Sequence, residues 1–178
     1  LLLQREEDAS EYYARVGGFA NRNDAHHQTA SSAEGNGAYL AMSDALKMAN
    51  LEPNQISYIN AHGTGTGNND ASESVAFMRL FGDKVPPFSS TKAFTGHTLA
   101  AAGGIEAVFS VLSIKFGCIF PNLNFNTPIT NAVTELVEVP AVHTLIPVCT
   151  FKEGVEVENV LTNSFGFGGN CSSLIFTR

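Results

Sequence analysis

The chain has 178 residues, of which 44% are apolar, and a formal net charge of −7. This apolar share argues against disorder and predicts one domain over residues 1–178 with a sizeable core, while the acidic balance argues against a nucleic-acid partner. Its three cysteines lack C-x-x-C spacing, which predicts neither a disulfide framework nor a zinc ribbon and favours a reducing, cytoplasmic setting.

Residue spacing predicts alternating strands and helices. The first half reads as a strand end at 1–3, a polar helical segment within 4–11, a strand from 13 that Gly17 and Gly18 stop, a loop at 21–32, an amphipathic helix at 36–50 and a strand at 55–61. The second half reads as a helix at 70–81, a strand at 87–90, a helix at 98–116, β-like residues at 118–121 and strands at 160–165 and 172–176. This order predicts an α/β fold with a mixed sheet covered by helices.

The most apolar segment, 98–114, carries Glu106 near its middle and is shorter than a membrane span. We therefore expect a buried helix there and no membrane partner. A buried Glu106 would be costly unless a cation pairs with it, and Lys92 is the natural partner. A structural ion pair and a catalytic network are equally compatible with this pattern. Asp70 and Glu73 are more typical of a helix N-terminal charge pattern than of a catalytic pair.

Two histidines follow predicted strands, His62 in YINAHGTGT and His97 in SSTKAFTGH. Ligands of open α/β sheets gather beyond the carboxyl ends of strands, which favours a functional site at both positions. A helix N-terminus would keep His97 neutral, as a donor that polarises a carbonyl. The alternative is structural, with His62 capping a turn and His97 capping a helix.

The segment NSFGFGGN joins the last two predicted strands with three glycines. Glycine allows backbone N–H groups to approach a ligand closely, and the loop lacks the Gly-Lys-Ser/Thr of a phosphate loop. It therefore suits an oxyanion site, with a plain hairpin as the alternative. No Gly-x-Ser-x-Gly elbow presents a nucleophile, and no histidine pair has metal-ligand spacing, so we expect no metal.

Together, AHGTGT, SSTKAFTGH, the helix with Glu106 and NSFGFGGN resemble, in order and spacing, the C-terminal half of the β-ketoacyl-acyl-carrier-protein synthases. The resemblance covers essentially the whole chain and implies a thiolase-like fold of two similar halves. It implies that the nucleophilic cysteine lies in a first half that is absent here, so this chain alone is expected to be inactive.

The resemblance also assigns roles. His62 and His97 match the catalytic histidines of the family, Lys92 its active-site lysine and Glu106 the acid that pairs with that lysine. Phe167 matches a gating phenylalanine whose backbone N–H completes an oxyanion hole.

Thr64 and Thr66 match threonines that bond the pantetheine arm, and Thr29 lies in a loop that resembles one beside the pantetheine channel. The chain departs from the common pattern at Gly67, where the family often has proline, and at Asn170-Cys171, where it often has Thr-Asn.

The implied reaction is a decarboxylative Claisen condensation of malonyl thioester with an enzyme-bound acyl chain in fatty acid synthesis. No cofactor is implied. The implied partners are acyl carrier protein, the missing N-terminal half and a second subunit of a homodimer. The alternatives are a polyketide-type ketosynthase, a non-catalytic chain-length partner subunit, which retention of both histidines argues against, and a thiolase relative that acts on coenzyme A esters.

Overall fold

The computed structural model describes residues 1–129 and 145–178. Within these residues the strands are β1 (Arg15–Asn23), β2 (Tyr58–Asn60), β3 (Phe88–Ser89), β4 (Cys118–Ile119), β5 (Lys152–Glu153), β6 (Asn159–Gly166) and β7 (Asn170–Thr177). The α-helices are α1 (Asn36–Ala49), α2 (Gly67–Phe81), α3 (Lys92–Thr95) and α4 (Ala102–Phe116). Short 3-10 helices cover Glu6–Asp8, Pro53–Gln55 and Leu99–Ala101.

The larger sheet is mixed and has the strand order β1-β7-β6-β2-β3. Strand β2 pairs in parallel with both β3 and β6, whereas β7 pairs antiparallel with β6 and with β1. Strands β4 and β5 form a separate antiparallel pair. Because β2, β3 and β6 run in the same direction, the loops that follow them emerge at one edge of the sheet.

Helices cover both faces of this sheet because its central strands are apolar on both sides. On one face, Ile59 and Leu161 belong to a core shared with α1 and α2. On the other face, the neighbouring Tyr58 and Val160 belong to a core shared with α4. The mixed sheet covered by helices, as predicted from the sequence, is therefore observed.

The first strand differs most from the sequence prediction. It continues through Gly17 and Gly18 to Asn23, with a register irregularity between Val16 and Gly18. A Cβ atom on Gly18 would lie 2.3 Å from the carbonyl oxygen of Ala45, so this glycine allows α1 to approach the strand. The glycine pair is thus a close-packing position and does not end the strand. The predicted strand end at residues 1–3 is also wrong, since these leucines are exposed coil.

The helix predictions differ mainly at their N-termini. Helix α1 ends within one residue of its predicted end, whereas α2 begins at Gly67, three residues before the predicted start. The predicted helix at 98–116 is a 3-10 turn followed by α4. Leu99–Phe116 is long and apolar enough to cross a membrane, so the expectation that this segment is too short was wrong. Core helices of soluble proteins meet the same criterion of length and composition.

Replacing Gly18 with alanine should destabilise the protein, because the added Cβ would press on the backbone of α1 at Ala45 and Ala49. We expect the free energy of unfolding to fall by about 1–3 kcal/mol, as for an overpacked core. Gly67→Ala is the matched control, since a Cβ there meets no atom within 4 Å. Denaturant unfolding should leave the control unchanged or slightly stabilised; equal stability of the two variants would contradict this account.

Candidate functional site

The three parallel strands each deliver a polar segment to the same edge of the sheet. His62 follows β2, Lys92 follows β3 at the start of α3, and Ser164 and Phe165 lie near the carboxyl end of β6. These segments meet, because the ring of His62 contacts both the ammonium group of Lys92 and the backbone of Phe165. The sheet topology therefore brings together residues that are far apart in the sequence.

The hydrogen bonds of His62 define its tautomer. The backbone N–H of Phe165 lies 3.3 Å from Nδ1 of His62, and Nζ of Lys92 lies 3.2 Å from the same nitrogen. An amide N–H can only donate, so Nδ1 accepts and the ring proton lies on Nε2. Burial, followed by the positive charge of Lys92 and then repulsion from His97, lowers the pKa of His62 to about 3. His62 is thus a neutral Nε2–H donor at neutral pH.

The predicted pair of Lys92 and Glu106 is present and buried. Lys92 is 8% exposed and Glu106 is 2% exposed, and the ammonium group contacts Oε1 of the carboxylate. The hydroxyl of Ser164 donates to Oε2 at 3.2 Å. Burial raises the pKa of Glu106, and the charge of Lys92 opposes that rise. The ammonium group therefore links the carboxylate to the ring of His62.

The rings of His97 and His62 are neighbours in an edge-to-face arrangement, with ring centroids 5.4 Å apart and planes at 87°. His97 does not lie at the first turn of α4, as the sequence suggested, because the 3-10 turn Leu99–Ala101 intervenes. The backbone N–H of Leu99 instead donates to Nδ1 of His97 at 3.2 Å. Because Nδ1 accepts this hydrogen bond, a ring proton of His97 lies on Nε2. Leu99 adopts a positive φ of 54°, a conformation uncommon for leucine.

Glu73 holds the backbone of the His62 turn and was not predicted to do so. Its Oε1 accepts hydrogen bonds from the backbone N–H of His62 and from the side-chain amide of Asn163, both at 3.0 Å. Its Oε2 accepts from the backbone N–H of Gly63 at 2.9 Å. Burial raises the pKa of Glu73, against the effect of these three donors. Ala76 and Phe77, three and four residues further along α2, are buried with it, and this packing shows that the helix face of Glu73 is internal, which its place near a helix start does not reveal.

The two histidines and the three predicted threonines line one cleft of about 810 Å³. The hydroxyl oxygens of Thr64 and Thr66 lie 2.8 Å apart on one wall, and Thr29 lies on the loop between β1 and α1. Lys92 and Glu106 lie behind the cleft and reach it through His62 and Ser164. The structure therefore brings all the predicted site residues to the cleft or directly behind it.

Phe167 also lines this cleft, at the tip of the turn between β6 and β7, and it is 82% exposed. The next residue, Gly168, donates its N–H to the carbonyl of Gln28 at 2.7 Å, which ties the tip to the loop of Thr29. Cys171 lines the cleft as well, and burial raises its pKa to about 12. A thiol with so high a pKa is a poor nucleophile at neutral pH.

Residues 13–126 match the family described as the beta-ketoacyl synthase, C-terminal domain. The chain belongs to this family. A solved structure of a type II PKS acyl-carrier protein in complex with its ketosynthase bound to the hexaketide contains a chain that aligns at 30% identity. Its TM-score is 0.83, with 97% of this chain and 40% of that chain covered. The predicted thiolase-like half is therefore confirmed as the fold of this synthase domain.

Two curated relatives of the synthase domain have similar coverage. The mitochondrial 3-oxoacyl-[acyl-carrier-protein] synthase of Arabidopsis thaliana is 40% identical over 184 residues, which is 99% of this chain and 38% of that protein. The 3-oxoacyl-[acyl-carrier-protein] synthase 2 of Vibrio harveyi is 38% identical over 185 residues, which is 100% of this chain and 42% of that protein. The chain thus spans about two fifths of the length of these relatives.

The lowered pKa of His62 predicts a pH dependence of stability. Between pH 6.5 and about 3, His62 binds a proton in the unfolded chain but not in the folded protein. The free energy of unfolding should therefore fall as the pH decreases through this window. Above pH 6.5 the stability that depends on neutral His62 is fully present. His62→Gln removes the titrating group, so its stability difference from the unchanged protein should narrow on acidification. A difference that stays constant across the window would contradict the assigned charge state.

Glu73→Gln should destabilise the protein by about 1–3 kcal/mol, because a single amide oxygen cannot accept all three hydrogen bonds and the new NH2 group faces a backbone donor. The matched control is Glu156→Gln, at an exposed carboxylate. Thermal unfolding of both variants measures the effect. The same transition temperature in both variants would show that Glu73 does not hold the His62 turn.

Proposed function

We propose that this chain supplies the imidazole donors and the carrier-arm contacts of a condensing enzyme. In this enzyme a malonyl thioester loses carbon dioxide and is joined to an acyl chain held on a cysteine. The observation that carries the proposal is the pair of rings of His62 and His97, each with Nδ1 occupied by a backbone N–H. Both rings therefore offer an Nε2–H to one cleft.

Two Nε2–H donors suit the charge that develops in this reaction. Loss of carbon dioxide from the malonyl group leaves an enolate, whose oxygen would accept hydrogen bonds from His62 and His97. Donors that are held in place before the reaction stabilise such an oxyanion by a few kcal/mol each, since they need not reorient. Because the pKa of His62 is about 3, its ring stays neutral at neutral pH and acts as a hydrogen-bond donor and not as a general acid.

Carbon–carbon bond formation then needs an acyl group on a nucleophile. The enolate carbon would attack the acyl carbonyl, the carbon–sulfur bond of the acyl-cysteine would break, and the thiolate would leave. The backbone N–H of Phe167 is proposed to serve the oxyanion of this step. The cysteine in the cleft, Cys171, has a pKa raised to about 12, which supports a nucleophile from outside this chain.

An upstream half of the protein is proposed to supply that nucleophile and to cover exposed apolar side chains on and before α4. The apolar residues Leu99 and Phe116 are 79% and 66% exposed, and Phe94 and Val108 are exposed nearby in the chain. Contiguous exposed apolar patches usually mark an interface, and these side chains are the apolar surface proposed to contribute to one. The share of the relatives that this chain spans, about two fifths, supports the same view.

The proposed substrates are thioesters of acyl carrier protein in fatty acid synthesis, which the names of the two curated relatives support. Thr64, Thr66 and Thr29 would contact the pantetheine arm. A polyketide-type ketosynthase is the second candidate, because the aligned solved structure is of a type II PKS ketosynthase. The homodimer and the cytoplasmic location stay predictions.

The test uses the full protein with acyl and malonyl carrier-protein thioesters. His62→Ala and His97→Ala should each lower carbon dioxide release by about a hundredfold or more, while acylation of the cysteine is largely kept. Lys92→Ala should show an intermediate loss of activity or a larger one, because it also leaves the carboxylate of Glu106 buried without its cation. Mass spectrometry of the acyl-enzyme, run beside a carbon dioxide assay, separates the two steps.

Several results would contradict this proposal. Turnover by the isolated chain would show that no upstream nucleophile is needed. Loss of acylation with retained decarboxylation in the His62 and His97 variants would reverse the assigned roles. A full protein that condenses neither carrier-protein nor pantetheine thioesters would refute the function. Product analysis distinguishes the two candidates, since a polyketide synthase retains keto groups over successive extensions.

A further inference from the structure

The side chain of Asn68 forms a two-point bridge to the backbone of Ser31, 37 residues away in the sequence. Its Oδ1 accepts a hydrogen bond from the N–H of Ser31 at 2.9 Å, and its Nδ2 donates to the carbonyl oxygen of Ser31 at 3.1 Å. Two antiparallel hydrogen bonds from one planar amide fix both the separation and the orientation of the groups that they join. A single bond would fix only the separation.

The bridge lies at the cleft and joins its two walls. Asn68 is the second residue of α2 and follows Thr66 by two positions, and Ser31 follows Thr29 by two positions. Both Asn68 and Ser31 line the cleft. The bridge therefore connects the wall that carries Thr66 with the loop that carries Thr29.

Each side of the bridge is anchored separately to the fold. The backbone N–H and hydroxyl of Ser32 donate to the carboxylate of Asp24 at 2.6 and 2.7 Å, and the N–H of Gly37 in α1 donates to the same carboxylate at 2.8 Å. On the other side, α2 carries Glu73, which holds the turn of His62. The bridge is thus a direct link between two rigid supports.

We propose that Asn68 is a positioning residue that sets the width of the cleft and so the affinity for the outer part of the carrier arm. This inference rests on the proposed function, which lays the pantetheine arm between these walls. Asn68 makes its contacts through Ser31, away from the rings of His62 and His97, so it should act on binding of the arm more than on the chemical step.

The experiment compares substrates with long and short arms on the full protein. Asn68→Ala removes both hydrogen bonds and should raise KM for malonyl pantetheine thioester about tenfold, with kcat within about twofold. KM for the malonyl N-acetylcysteamine thioester, which lacks the outer part of the arm, should stay within about twofold. Asn68→Asp keeps the acceptor for the N–H of Ser31 but sets a carboxylate oxygen against the carbonyl oxygen of Ser31, so its KM for the long arm should rise at least as much as that of Asn68→Ala. The matched control is Asn54→Ala, at an exposed residue at the opposite end of β2.

The outcomes separate this inference from the proposed function. An Asn68→Ala protein whose KM rises equally for both arms, or not at all, would overturn the positioning role while leaving the condensing reaction in place. A selective rise in KM for the long arm, present in both Asn68 variants and absent in the control, would support it. An unchanged protein that condenses neither substrate would overturn the proposed function and this inference together.

Discussion

The ammonium group of Lys92 lies between the carboxylate of Glu106 and Nδ1 of His62, and the charge state of the cleft depends on this position. A buried ion pair adds little net stability, because the cost of removing both charges from water offsets their attraction. The pair instead affects the charge state of the imidazole ring of His62. Burial and then the adjacent positive charge disfavour protonation of His62, and the N–H of Phe165 fixes the proton on Nε2. The pair therefore adds to burial in keeping His62 a neutral donor.

The sheet determines where these charges meet. Helix α4 packs against β6, so Glu106 reaches the end of that strand, where Ser164 donates to it. Lys92 follows the parallel strand β3, on the far side of β2. Because β2 lies between the other two parallel strands, the turn after it holds the central position. The residue at that turn, His62, contacts groups from both neighbours.

The sequence predicted the features whose cause is local. The helical periodicity of 36–50 defines α1, and an apolar helix that contains Glu106 requires a cation such as Lys92. It did not predict features that depend on packing between distant segments. Gly18 resembles a strand stop until the backbone of α1 is seen against it, and Glu73 resembles a helix-end charge until its helix face is known to be buried. Neither contact leaves a periodic pattern in the sequence.

One departure from the family pattern is linked to the Asn68 bridge. Gly67, where the family often has proline, precedes Asn68 and follows the turn of Thr64 and Thr66. A glycine at a position that suits proline leaves the unfolded and partly folded turn with more freedom, worth about 0.4–1 kcal/mol. Asn68 is exposed, so its two hydrogen bonds to Ser31 contribute toward the lower end of about 0.5–1.5 kcal/mol each. A tertiary bridge of this size can therefore supply the restraint that a local ring would otherwise give.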